Sequence, residues 1–102
     1  MAVEKITREG FDRFLQSNPV AIVDFYADWC GPCRMLAPVL ESIAEQDPSV
    51  KIGKVNVDEC GELAMRFGIS SIPFVAIFRN GKLAASSVGY VSERALRERL
   101  GL

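Results

Sequence analysis

Val20-Ala21-Ile22-Val23-Asp24-Phe25-Tyr26-Ala27 runs through apolar residues with a single charge, and Asp28-Trp29-Cys30-Gly31-Pro32-Cys33 follows it directly. A short, near-continuous apolar run is the pattern of a strand covered on both faces. Behind the cysteines, Leu36, Val39, Leu40 and Ile43 recur at helical spacing, which predicts an amphipathic helix. Pro38 falls inside that helix and should kink it, and Asp47-Pro48 stops it. The stretch therefore reads as strand, turn and helix. The first cysteine sits at the junction and the second in the first helical turn.

Working outward, Val3 to Ile6 suits a short first strand, and Thr7 offers a capping hydroxyl to a helix carrying Phe11, Phe14 and Leu15 on one face. Ser17-Asn18-Pro19 ends that helix, because a proline pushes its predecessor out of helical geometry. Val50 to Val57 alternates as a second central strand with Lys54 inside it. A short helix with Cys60, Leu63, Ala64 and Phe67 on one face closes at Gly68. Phe74 to Phe78 and Leu83 to Val88 flank Arg79-Asn80-Gly81-Lys82, and an Asn-Gly step between strand-like runs signals a hairpin. Ser92 caps a last helix with Ala95, Leu96 and Leu100 inward and Arg94, Arg97, Glu98 and Arg99 outward. The order β-α-β-α-β-α-β-β-α predicts an α/β domain with a mixed sheet of five strands and helices on both faces. Its core should be parallel, and the terminal hairpin should add antiparallel edge strands.

The 102 residues suit one domain spanning 1–102, large enough to bury roughly two-thirds of the unfolded chain's surface without a staple. Acids and bases are interspersed and the net charge is −1. No clustered basic face is expected, and with it no nucleic-acid partner and no anionic membrane surface. Charges interrupt the first ten residues before an apolar stretch of signal length develops. No run approaches the roughly 20 residues that span a bilayer, so neither export signal nor anchor is expected and the cytoplasm is the expected location. Three cysteines are too few for a secreted disulfide scaffold. The absence of histidine removes the commonest general base and the commonest metal ligand together.

Cys30 and Cys33 can close a small disulfide ring or chelate a metal. At the start of a helix, free backbone N–H groups and the macrodipole favour an anion, so a thiolate at Cys30 would be stabilised and nucleophilic. Pro32 suits the first turn, where its missing N–H costs little. The expected chemistry is attack by Cys30 on a partner's disulfide, then attack by Cys33 on the Cys30 sulfur, which releases the reduced partner. A zinc site would need a second Cys-x-x-Cys or a histidine pair, and the chain has neither.

Asp24 sits in the middle of the apolar strand, where an unpaired carboxylate is expensive, so it should be paired or protonated. Lys54 holds the corresponding interior place in the next strand and is the expected partner. Beside a dithiol these two charges suit proton management, with Asp24 accepting the Cys33 proton directly or through water. Spacing alone makes Ile72-Pro73 a trans proline opening a strand. Trp29 is either an exposed docking aromatic or a packed core residue. Cys60, on an apolar stripe, reads as a packing residue.

Asp24-Phe25-Tyr26-Ala27-Asp28-Trp29-Cys30-Gly31-Pro32-Cys33, Pro38, Lys54-Val55-Asn56-Val57-Asp58, Ile72-Pro73, Asn80-Gly81 and Val88-Gly89 together resemble the thioredoxin family over essentially the whole chain. The resemblance implies a thioredoxin fold and reduction of disulfides in client proteins, with Cys30 attacking, Cys33 resolving and the two forming the redox-active disulfide. It implies that Asp24 is the buried carboxylate near Cys33 with Lys54 beside it, and that Pro73 is cis and faces the dithiol. Trp29, Gly31 and Pro32 complete the motif. Trp29, Ile72, Pro73, Val88, Gly89 and Tyr90 would form the client-docking surface. No bound cofactor or metal is implied; electrons would come from NADPH through a separate thioredoxin reductase, and the chain would work as a monomer. Tyr26, Arg34, Phe74 and Tyr90 depart from the family's common residues, the last two where clients would dock. An oxidase or isomerase of the same fold, a redox-independent binding module and a redox-linked metal binder are the competing readings.

Overall fold

The apolar run ahead of the cysteines becomes the central strand of a five-stranded sheet. In the computed structural model, which describes residues 2–102, the elements follow as β1 (Val3–Lys5), α1 (Phe11–Ser17), β2 (Val20–Tyr26), α2 (Gly31–Gln46), β3 (Lys51–Asn56), α3 (Gly61–Arg66), β4 (Phe74–Arg79), β5 (Lys82–Val88) and α4 (Glu93–Leu100). The strand order is β1-β3-β2-β4-β5. β1 and β2 run parallel to β3, while β4 is antiparallel to β2 and to β5.

The hairpin forms where Asn80-Gly81 places it, with φ of 53° and 81° at the two turn residues. These left-handed values fit the strand twist and explain the pair chosen there. Of the two hairpin strands, however, only β5 is an edge. β4 lies against β2, because Val75, Ala76, Ile77 and Phe78 are buried and need cover on both faces. β5 leaves Lys82, Leu83, Ala84, Ser86 and Val88 exposed.

Side chains alternate across the sheet and build two cores. On one face Ala21, Val23 and Phe25 of β2 and Val55 of β3 pack with Phe11, Phe14 and Leu15 of α1 and Leu63 of α3. On the other face Ile22 of β2, Ile52 of β3 and Val75 and Ile77 of β4 pack with Leu36, Leu40 and Ile43 of α2 and Leu96 and Leu100 of α4. By the same alternation Asp24 and Lys54 project toward the α2 face, in line with Ile22 and Ile52.

Local signals mostly act as read, with two shifts. The Thr7 hydroxyl accepts the Gly10 N–H at 3.1 Å in a turn that precedes the helix, so α1 opens at Phe11 after Gly10, and Thr7 does not cap it. Cys60 lies just before α3 rather than within it, and is still buried. Ser92 caps α4 by accepting the Ala95 N–H at 3.2 Å. α2 runs through Pro38 without ending.

Candidate active site

Cys30 has extended backbone angles (φ −89°, ψ 109°) and α2 begins at the next residue, so the cysteine occupies the capping position. Its sulfur accepts the Cys33 N–H at 3.2 Å. Pro32 stands in the first turn, where no N–H is required. One helical turn thus brings the two Cα atoms to 5.2 Å, within the span a disulfide bridges, and the two sulfurs are bonded. The pair is buried in a small apolar cluster with Ala27, against Tyr26, Val57 and Ile72.

Asp24 is 4% exposed and its Oδ1 has no hydrogen-bond partner. Its strand register sets it opposite Lys54, yet no carboxylate–ammonium contact within 4 Å joins them. Of the two alternatives for Asp24, paired or protonated, the close pair with Lys54 does not form. Lys54 is only half-buried, and its four-carbon stem carries the ammonium over the Tyr26 ring, 5.4 Å from the centroid. Burial consequently dominates: it pushes the Asp24 carboxyl from 3.8 up to about 7, against a weaker downward pull from Lys54. Asp24, Cys33, Ala37 and Lys54 share a cavity of about 190 Å³, enough for water to bridge carboxyl and sulfur. Arg34 borders it and donates from Nη1 to the Asp28 carbonyl at 2.7 Å.

The other side of the dithiol carries the exposed apolar residues. Trp29 is 69% exposed and its indole N–H donates to Asp58 Oδ2 at 2.8 Å, which decides between its two readings in favour of the surface. A groove of about 220 Å³ runs from Trp29 past Val57, Ala64 and Ile69 to Ile72. Ile69 carried no periodic signal in its loop and escaped the sequence reading; Asp58 entered only as part of the matched run. The Ile72–Pro73 bond is cis, as the resemblance implied and spacing alone did not. Pro73 is buried, and its carbonyl accepts the Gly89 N–H at 2.8 Å. Gly89 has φ of 87°, a backbone state that favours glycine. Val88 and Tyr90 on either side are exposed.

Cys60 is a free thiol packed in the α1–α3 core. Among the described residues no group of three or more His, Cys, Asp or Glu side chains is disposed to hold a metal ion.

The thioredoxin family model matches residues 2–101. The chain belongs to the thioredoxin family. It is 48% identical over 87 residues to thioredoxin of Chlamydia pneumoniae, covering 85% of this chain and 84% of that one. It is 40% identical over 89 residues to thioredoxin-1 of Saccharomyces cerevisiae, covering 87% and 86%. Among solved structures, a single-substitution variant of thioredoxin from Halobacterium salinarum superposes with a TM-score of 0.87 at 34% identity, over 98% of this chain and 92% of that one. The oxidised form of mitochondrial thioredoxin 3 from Saccharomyces cerevisiae gives 0.89 at 29% identity, over 97% and 93%. This thioredoxin-family chain is a thiol–disulfide oxidoreductase with its cysteine pair in the family's active-site position. Among the described residues no helix is long and apolar enough to cross a membrane.

Proposed function

We propose that this thioredoxin-family domain, spanning residues 1–102 and acting as a cytoplasmic monomer, reduces disulfides in client proteins through unequal roles for Cys30 and Cys33. One observation carries the asymmetry. Cys30 Sγ receives the Cys33 N–H at the start of α2, whereas Cys33 shares a cavity with Asp24. In the reduced protein, that N–H and the helix dipole favour a thiolate at Cys30.

Cys30 thiolate attacks one sulfur of the client disulfide; the new S–S bond is a mixed disulfide, and the client's other sulfur leaves as thiolate. Asp24 then accepts the Cys33 proton through cavity water. The Cys33 thiolate attacks Cys30 Sγ, the mixed disulfide breaks, and the second client thiolate leaves. Two electrons have passed to the client, and its thiolates take protons from solvent. Lys54 tunes the Asp24 charge, since its ammonium lowers the carboxyl's affinity for a proton without neutralising it. Trp29, Ile72, Val88, Gly89 and Tyr90 receive the client around the sulfurs, with buried Pro73 fixing the wall behind them. The domain binds no cofactor; NADPH restores the dithiol through a separate thioredoxin reductase.

A trapping experiment tests these roles. Cys33→Ser should accumulate a covalent adduct with a disulfide client, released by dithiothreitol and located by mass spectrometry at Cys30, while Cys30→Ser accumulates none. Equal trapping by the two variants would overturn the assignment.

A further inference from the structure

Asn56 closes β3 and is 3% exposed, a buried amide where the sheet gives way to the turn before α3. Its Oδ1 accepts the Asp58 N–H at 2.9 Å and the Glu59 N–H at 3.4 Å, and its carbonyl accepts the Cys60 N–H at 2.9 Å. One residue thus gathers three successive N–H groups, its side chain imitating a backbone turn. Among the described residues the Asp58 N–H has no other partner. Val57 on one side donates to the Tyr26 carbonyl at 2.9 Å, and Cys60 on the other is buried. The turn is therefore anchored at both ends, and at its middle by Asn56 alone. Glu59 is also paired with Lys5 at 2.8 Å, an exposed pair that does not touch Asp58.

What this turn carries is the Asp58 carboxylate, whose Oδ2 accepts the Trp29 indole N–H. That bond is exposed. An exposed hydrogen bond competes with water and adds little order unless one of its ends is already in place. Trp29 stands largely in solvent and brings no such order of its own. It has to come from the Asp58 side, and so from the buried amide beneath it. We infer that Asn56 is a positioning residue for client reduction. It fixes the Asp58 backbone, and through the Asp58 carboxylate it holds the Trp29 indole in the pose against which a protein client docks. The role rests on Trp29 belonging to the docking surface. Its benefit is entropic, since a client that meets an ordered indole does not have to order it on binding.

The chain holds one tryptophan, so the indole N–H gives a single signal in proton–nitrogen correlation spectra. In the reduced protein Asn56→Ala should quicken exchange of that proton with solvent by about fivefold or more, as should Asp58→Ala. Asn56→Asp keeps an acceptor oxygen at the same reach and should restore most of the protection. Insulin serves as the protein disulfide and cystamine as a small one that needs no docking wall. Asn56→Ala should raise KM for insulin about threefold or more, change kcat by less, and lower the ratio of insulin to cystamine rates by about threefold. The two alanine substitutions in one chain should be no worse than Asp58→Ala alone, because both cut the same path. Asn56→Leu fills the space without an acceptor and takes the place of the alanine variant if that one does not fold. Indole exchange at the parent's rate in the acceptor-free variants would overturn the inference. Equal slowing on insulin and cystamine would do the same, as would effects of Asn56 and Asp58 that add. If Asn56→Ala and Asp58→Ala both free the indole and neither moves the insulin KM, the docking role of Trp29 is what fails, and the positioning role falls with it.

Discussion

Asp24 is held in the sheet with an unpartnered Oδ1 and a carboxyl raised from 3.8 to about 7 by burial. The folded chain therefore holds this proton more tightly than the unfolded chain does. The proton's contribution to stability is complete below about pH 4 and is lost as pH rises through about 7. Above that, the ionised folded state carries a penalty on the order of 4 kcal/mol at most. Asp24→Ala should thus be more stable than the parent at pH 8, by roughly 2–4 kcal/mol in urea titrations. Its stability should also lack the decline between pH 4 and 7. A variant no more stable than the parent at pH 8 would contradict the burial argument. The residue's oddity was visible in the sequence, since a charge inside an apolar run stands out. Its isolation from Lys54 was not, because register sets which Cα atoms face each other and leaves open where a long flexible side chain ends.

At the element scale, strand and helix periods were legible because each face of the sheet is buried under helices, so nearly every apolar residue had to keep its period. The place of β4 inside the sheet was not, as a hairpin's sequence fixes its turn but not which strand it docks on. Gly53 was another unread signal. A Cβ there would overlap the Ile6 side chain and lie 3.3 Å from Phe14 Cζ, so β3 needs glycine where α1 and the strand end press on it. Gly53→Ala should lower stability by about 1–3 kcal/mol in urea titrations while Cys30 keeps the parent's reactivity toward alkylating reagents. Parent-like stability would show that this contact is loose. The Trp29–Asp58 hydrogen bond links the loop before α2 to the loop before α3. Asp58→Ala should free the indole and raise KM for a protein client several-fold, with kcat changed less; a loss confined to kcat would argue that Asp58 acts elsewhere.

Across the whole molecule, the sheet divides the labour. The first turn of α2 carries the sulfurs, the β4–β5 side with Trp29 carries the exposed apolar surface, and the β3 side carries the cavity that Asp24 shares with Cys33. The dithiol motif was plain in the sequence because its chemistry depends on four consecutive residues. The arrangement around it comes from segments far apart in the chain, and only the family resemblance connected them before the fold did. Spacing left Pro73 trans and Trp29 undecided for that reason: both depend on partners distant in the chain. The central claim is reduction of client disulfides by Cys30 and Cys33, and NADPH-driven reduction of insulin through a thioredoxin reductase tests it most directly. The parent should catalyse steady NADPH oxidation with insulin, and Cys30→Ser should show none above background. An inert parent with an active reductase, or a Cys30→Ser protein with the parent's rate, would contradict the account.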